Sequence, residues 1–515
     1  MVKEFVNEPF LDYKNPEVRK AMEDALKKVR SQFGKEYTLL IGDEEIKTGE
    51  VFDSINPANP KEVVGTVQQA RKEDVERAIQ VAYETFLDWR FMPAWERASL
   101  LFKAAKIMRE RRHELNAWLV YEIGKTWPEA DGETAETIDF LEFYGREAIR
   151  YSQLQEVTPY PGEVNELRYI PLGVGAVIPP WNFGLSIMAG MTSAAIVAGN
   201  TVVLKPSSDS PVTARIFIDI LREAGLPSGV VNYISGKGEV IGDTLVAHPK
   251  TRFIAFTGSR DVGLHIVELA AVKQPGQIWI KRVIAEMGGK DAIIVDDECD
   301  LDDAVEGVFS SAFGYQGQKC SACSRAIVVE KVYNEFVDKL VARTKKAKVG
   351  PPENYENYMG PVINERAMRK ILHYIEKGKE EGKLVHGGKQ LPREGYFIEP
   401  TIFIDVAPDA VIAQEEIFGP VLAVIKAKDF DHAIEIANNT EYGLTGSVYT
   451  KNRKKIAKAR ELFHVGNLYI NRKCTGALVG VHPFGGFNMS GTDSKAGGRD
   501  YLLLFLQAKS ISEKL

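Results

Sequence analysis

Val174-Gly175-Ala176-Val177-Ile178, Thr201-Val202-Val203-Leu204, Val230-Val231-Asn232-Tyr233-Ile234 and Arg252-Phe253-Ile254-Ala255-Phe256 are short β-branched runs separated by helical stretches. The spacing predicts helices from Pro211 to Gly225, from Gly238 to Ala247 and from about Asp261 to Ala271. Strand and helix in alternation imply right-handed crossovers and a parallel sheet, by default a nucleotide-binding architecture. A second series begins near Ala292-Ile293-Ile294-Val295 and runs past Ile470, which predicts a second α/β domain with its own sheet. Upstream, residues 15–33 read as a charged surface helix and 74–150 as several amphipathic helices. Residues 157–170 and the tail Tyr501-Leu502-Leu503-Leu504-Phe505-Leu506 read as strands outside both series. An apolar strand near a terminus is an aggregation hazard unless paired, so an intersubunit role is expected for them.

The chain has 515 residues, beyond the size at which single cores stop growing, so two or three domains are expected. A net charge of −6 gives no basic footprint for nucleic acid or an anionic membrane. Met1 to Glu8 contains no apolar run of signal-peptide length, and a cytoplasmic location is expected. From Tyr169 to Leu204 there is no charged side chain, enough to span a bilayer. Pro179-Pro180, Asn182 and several glycines interrupt it, and a buried strand-turn-helix-turn-strand unit fits better. Four irregularly spaced cysteines, Cys299, Cys320, Cys323 and Cys474, do not resemble a disulfide framework.

Two segments carry chemistry. Gly314-Tyr315-Gln316-Gly317-Gln318-Lys319-Cys320-Ser321 offers a thiol in a glycine-broken loop, 34 residues after a loop holding Glu286-Met287-Gly288-Gly289-Lys290. A thiol nucleophile and a carboxylate base supply both halves of a covalent cycle. Phe256-Thr257-Gly258-Ser259 ends a strand and opens a helix, which fits either a phosphate-binding helix start or a plain turn. Lys205-Pro206 closes a strand where parallel sheets bind ligands, and reads as a ribose-binding or a solvated lysine. Asn182 reads as an oxyanion donor or a turn cap. Cys320 and Cys323 form one Cys-x-x-Cys without the further ligands zinc requires, so no metal is expected; a redox pair stays open. Walker A, His-Glu-x-x-His and Gly-x-Ser-x-Gly sequences are missing, which removes the common phosphoryl-transfer, zinc-protease and serine-hydrolase readings.

Taken in order, Pro180-Trp181-Asn182, Lys205-Pro206, Phe256-Thr257-Gly258-Ser259, Glu286-Met287-Gly288-Gly289-Lys290, Gly317-Gln318-Lys319-Cys320, Glu415-Glu416-Ile417-Phe418-Gly419-Pro420 and Pro483-Phe484-Gly485-Gly486 resemble the aldehyde dehydrogenase superfamily over nearly the whole chain. Gln316 to Ala322, Thr475-Gly476-Ala477 and Ser490-Gly491-Thr492-Asp493 are similar to its glutamate-semialdehyde-oxidising branch. The resemblance implies an α/β fold with three parts. A Rossmann-type cofactor domain would take residues 1–156 and 171–287, a catalytic α/β domain 288–485, and oligomerisation strands 157–170 and 486–515. The implied reaction is NAD-dependent oxidation of L-glutamate γ-semialdehyde to L-glutamate in proline and arginine catabolism, by a homodimer or higher homo-oligomer. Cys320 would attack the aldehyde, Asn182 and the Cys320 N–H would hold the oxyanion, and Glu286 would deprotonate the hydrolytic water. Pro180, Trp181, Lys205, Ser208, Gly258, Ser259, Glu416 and Phe418 would contact the cofactor. Glu136, Phe183, Ser321, Gly476, Ala477 and Phe484 would bind substrate.

One position departs from the family. Many members carry a glutamate three residues after the ribose-binding lysine, and here Ser208 stands there. A carboxylate grips a ribose diol and repels a 2′-phosphate, so NAD is expected to be preferred and NADP also accepted. The competing readings are an aldehyde dehydrogenase for another semialdehyde and a cysteine hydrolase built on Cys320.

Overall fold

The β-branched runs assemble as a sheet buried on both faces, the environment in which parallel strands are stable. In this computed structural model, which describes residues 3–515, a seven-stranded sheet runs in the order Arg282–Glu286, Thr251–Thr257, Val174–Ile178, Thr201–Leu204, Val231–Tyr233, Leu39–Ile41, Glu44–Ile46. The first five pair in parallel, and the last two close the edge antiparallel. Alternate residues serve opposite cores. Val202 and Leu204 pack with the helices Ser186–Val197 and Pro211–Glu223, while Val203 packs with Lys72–Trp89 and Gly238–Ala247.

A second seven-stranded sheet has the order Lys383–His386, Thr401–Ile404, Val421–Ala427, Cys323–Val329, Asp291–Val295, Thr445–Tyr449, Asn467–Ile470. All its pairs are parallel except the first. In the first sheet, strand order reverses between Val174–Ile178 and Thr251–Thr257, so a crevice opens beyond their carboxyl ends. Pro179-Pro180-Trp181-Asn182 and Gly258-Ser259 follow those ends. Lys290 and Leu444 immediately precede strands of the second sheet and Cys320 lies just ahead of the strand Cys323–Val329, so that sheet offers its amino edge. The charge-free stretch folds as two strands around the buried helix Ser186–Val197. Among the described residues no helix is long and apolar enough to cross a membrane.

Three local expectations are corrected. Tyr501–Phe505 is a 3-10 helix, and the terminal strand is Leu506–Lys514. Tyr501, Leu502 and Phe505 are all buried, with Tyr501 stacked on Tyr144 and Phe505 edge-on to Phe253; a tight helical turn can bury such neighbours where a strand would turn alternate ones outward. The polar strand that follows pairs with Glu163–Pro171, from Leu506 opposite Pro171 to Lys514 opposite Glu163, and residues 157–162 lie outside it. Glu286 ends a strand and does not sit in a loop. The hairpin Val51–Asn56 with Asn59–Gln68, extended by Lys35–Tyr37, was not among the expected elements; its mixed polar residues give little alternation to read.

Candidate active site

After the helix Leu301–Phe313, three consecutive residues take left-handed backbone: Tyr315 at φ 50°, Gln316 at 58° and Gly317 at 66°. Two of them carry side chains, which makes the turn costly unless its surroundings hold it. The Tyr315 hydroxyl donates to the Ile123 carbonyl at 2.9 Å, and the Gln316 amide donates to the Pro361 carbonyl at 2.7 Å while accepting from Gly360 N–H at 3.0 Å. Lys319 is ion-paired to Glu129 at 2.8 Å. The loop so anchored presents Cys320 half-buried. Burial pushes its thiol well above the usual range, and the carboxylates of Asp291, Glu416 and Glu286 push the same way. The resting side chain is therefore a neutral thiol.

Glu286 stands at the carboxyl edge of the first sheet. A segment from the far end of the chain lies along its strand: Met287 N–H donates to Ser490 O at 2.8 Å and Thr492 N–H to Ala285 O at 2.8 Å. One carboxylate oxygen, Oε1, accepts from the Ser494 hydroxyl at 2.6 Å and from Ser494 N–H at 3.2 Å. The other, Oε2, is buried and has no hydrogen-bond partner among the described residues. Burial raises this carboxyl to about 7, against the pull of the Ser494 bonds. Asn182, buried at 3% exposure, spends one amide N–H on the Gln318 carbonyl at 3.0 Å, and the amide carries a second.

The residues expected at the cofactor follow the carboxyl ends of strands of the first sheet or lie on the segment 416–418. Lys205 is buried just beyond its strand, its ammonium touching the Pro206 carbonyl at 3.2 Å, and burial lowers it to about 8. A buried cation whose partner is a single carbonyl suits hydroxyl acceptors such as a ribose diol. Ser208 Oγ lies 3.4 Å from the Gly236 carbonyl, next to the start of the helix Gly238–Ala247. Ser259 is the N-cap of Arg260–Ala271 and makes no side-chain cap bond, which leaves the helix start to accept an anion. Gly258 N–H donates to the Glu286 carbonyl at 3.0 Å, joining this turn to the strand of the carboxylate. Trp181, following half-buried Pro180, meets Phe418 edge-on at 5.7 Å. Glu416 Oε1 accepts from Gly289 N–H at 3.0 Å. A Cβ on Gly289 would fall 2.5 Å from the Cys320 carbonyl, so only glycine lets the two segments touch. These features fit a dinucleotide: a cation for ribose, a helix start for pyrophosphate, a carboxylate for the second ribose.

The residues expected at the substrate lie on several separate elements. The helix Trp127–Tyr151 carries Glu129, Glu133 and Glu136 on one face. Glu133 is paired with fully buried Lys125 at 2.6 Å and accepts from Leu185 N–H at 2.7 Å. Lys125 lies 3.7 Å over the Phe183 ring. Glu136 is half-buried beside Ser186, and desolvation lifts it to about 7. Ser321 is tied to the Thr475-Gly476-Ala477 loop through Cys474, whose thiol donates to the Ser321 carbonyl at 3.3 Å. Phe484 pairs with Ala496, which brings it to the Ser494 segment.

Several residues were not singled out from the sequence. Lys290 is buried without a hydrogen-bond partner among the described residues and is lowered to about 7 by burial and Arg325. Asp291 accepts from Thr445 N–H at 2.6 Å, and Lys125, Glu129, Glu133 and Ser494 complete the set. Lys290 closes the quoted motif Glu286-Met287-Gly288-Gly289-Lys290 but carries no role in the sequence reading; Ser494 acts across 208 residues and left no local signal. The acid cluster Asp296-Asp297-Glu298 is neutralised by Lys455 at 2.7, 3.2 and 3.0 Å.

A nucleophilic thiol and a buried carboxylate between a dinucleotide crevice and a second α/β sheet define an oxidoreductase with covalent catalysis, and residues 45–511 match the model of the aldehyde dehydrogenase family. The chain belongs to that family. It is 58% identical over 513 residues, covering 100% of both chains, to the 1-pyrroline-5-carboxylate dehydrogenase of Geobacillus sp. strain WCH70. Among solved structures, 1-pyrroline-5-carboxylate dehydrogenase from Thermus with bound NAD superposes with a TM-score of 0.98 at 52% identity, covering 100% of both chains. Proline utilization A from Bdellovibrio bacteriovorus, inactivated by N-propargylglycine, gives 0.98 at 47% identity over 99% of this chain and 53% of that one.

Proposed function

We propose that this chain oxidises L-glutamate γ-semialdehyde, the open form of hydrolysed 1-pyrroline-5-carboxylate, to L-glutamate with NAD. The observation that carries the reading is the Glu286 carboxylate at the carboxyl edge of the first sheet, held by one oxygen while the other is buried without a partner among the described residues. The full-length similarity to 1-pyrroline-5-carboxylate dehydrogenases supports the substrate, and the NAD-bound Thermus structure supports the cofactor.

Cys320 releases its proton to solvent water as its sulfur adds to the aldehyde carbon, while the free N–H of Asn182 and the Cys320 N–H bind the oxyanion. NAD, when bound, accepts the hydride from that carbon. Lys205 and Ser208 would hold the adenosine ribose, Gly258 and Ser259 the pyrophosphate, and Glu416 the nicotinamide ribose, with Pro180, Trp181 and Phe418 walling the groove. The resulting thioester is hydrolysed by water whose proton passes to Glu286. Ser321 with the N–H groups of Gly476 and Ala477 grips the substrate carboxylate through charge-assisted bonds. Glu136 pairs with the ammonium, and Phe183 and Phe484 flank the methylene stem. NADP is accepted less well than NAD, since Ser208 neither repels nor pairs a 2′-phosphate.

Residues 1–156 and 171–287 would form the cofactor domain and 288–485 the catalytic domain. The strands in 157–170 and 486–515 would join copies into a homodimer or larger assembly in the cytoplasm, where Cys320 stays reduced. The test follows NADH formation with glutamate semialdehyde and with aliphatic aldehydes of similar length. At least a tenfold preference in kcat/KM, about 1.4 kcal/mol, is expected for the semialdehyde. Comparable use of the simple aldehydes would overturn the substrate assignment.

A further inference from the structure

We infer that Ser494 is the positioning residue of the base, holding Glu286 Oε1 so that Oε2 is the oxygen that takes the proton of the hydrolytic water. The inference rests on the reading of Glu286 as that base and extends it to a residue outside the motifs. The two oxygens differ in kind. Oε1 accepts two hydrogen bonds from one residue, the hydroxyl at 2.6 Å and the backbone N–H at 3.2 Å. Oε2 is buried without a partner among the described residues. An oxygen with two donors has spent its lone pairs, whereas an unsatisfied buried acceptor is costly and waits for a donor. A water at the thioester is such a donor.

The segment around Ser494 is built to hold this geometry. Ser494 is 4% exposed. Ala285 N–H donates to Thr492 Oγ1 at 3.0 Å, Thr492 N–H returns a bond to Ala285 O, and Met287 N–H binds Ser490 O. The register of 490–492 along the strand Arg282–Glu286 thus delivers Ser494 to the carboxylate. A Cβ on Gly485 would lie 3.1 Å from Oε1 and 3.0 Å from Ser494 N, so the enclosure is tight.

In the hydrolytic step the water oxygen bonds to the thioester carbon, the carbon–sulfur bond breaks, and its electron pair goes to Cys320. The water proton goes to Oε2, and Ser494 keeps its own proton throughout. The other titratable groups facing Glu286 are Asp493 and Lys495 of the same segment, Cys320 from the nucleophile loop and Tyr501 from the 3-10 helix. None of them is altered by the substitutions below.

A hydrogen bond to an ionised carboxylate favours that form, so its loss moves the titration upward. With the intact enzyme, NAD and glutamate semialdehyde, Ser494→Ala is expected to shift the acid limb of kcat up by about one pH unit, a roughly tenfold loss of turnover on that limb. The pre-steady-state burst of NADH keeps its rate, because hydride transfer precedes hydrolysis. Ser494→Thr, which retains the hydroxyl, restores the wild-type limb. Ser494→Cys, a weak donor of similar size, shifts it like alanine and serves if the alanine chain does not fold. An unmoved limb in Ser494→Ala or Ser494→Cys, with Glu286→Gln blocked after the burst, overturns the positioning role alone. Unimpaired hydrolysis in Glu286→Gln overturns the reading of the base itself.

Discussion

Four thiols occupy this chain, and their surroundings sort them. Cys320 is half-buried beside the carboxylates, whereas Cys323 and Cys474 are buried with their thiols against one another. Cys320→Ala is expected to abolish NADH formation and Cys323→Ala to leave most of it, measured under reducing conditions with folding checked by circular dichroism. Equal losses would revive the redox-pair reading. Asn182→Ala should lower kcat by roughly 10²–10³, the usual effect of removing one oxyanion donor; near-normal turnover would reject its role. With Glu286 lifted to about 7, its basic form is depleted as pH falls through that value, so hydrolysis should slow on the acid side while the burst persists. At this scale the sequence was most legible where function is written in short words: the Cys320 loop, the Glu286 segment and Asn182 are each local patterns. Lys125 and Ser494 were not, because a buried ammonium and a single serine mean something only beside partners brought by the fold.

Among elements, parallel strands were easiest to read, since burial on both faces leaves unbroken β-branched runs such as Thr201-Val202-Val203-Leu204. The ribbon strand Leu506–Lys514 is polar and mostly exposed and carries little pattern, whereas the apolar run before it, which reads as a strand, is a 3-10 helix. The loop Thr475-Gly476-Ala477, proposed to hold the substrate head group, can be tested at its glycine. Gly476 sits at φ 76°, where a β-branched residue is strained. Gly476→Val should raise KM for glutamate semialdehyde by tenfold or more and leave simple aldehydes nearly unaffected. A parallel loss with both substrates would mean the loop shapes the whole pocket and not the head-group contact.

For the whole molecule, the two-stranded ribbon of Glu163–Pro171 and Leu506–Lys514 stands apart from both large sheets. If this ribbon joins copies of the chain as proposed, removal of residues 506–515 should lower the mass measured by light scattering to that of a monomer; an unchanged mass would reject the ribbon as the subunit contact. The same end of the chain reaches inward. Arg282, which begins the strand of Glu286, donates to the carbonyls of Leu503, Leu504 and Leu506 at 2.9, 2.6 and 3.0 Å. Residues 221 positions apart in sequence are therefore held as one unit, so that local loosening of the chain's last turns would slacken the strand that carries Glu286.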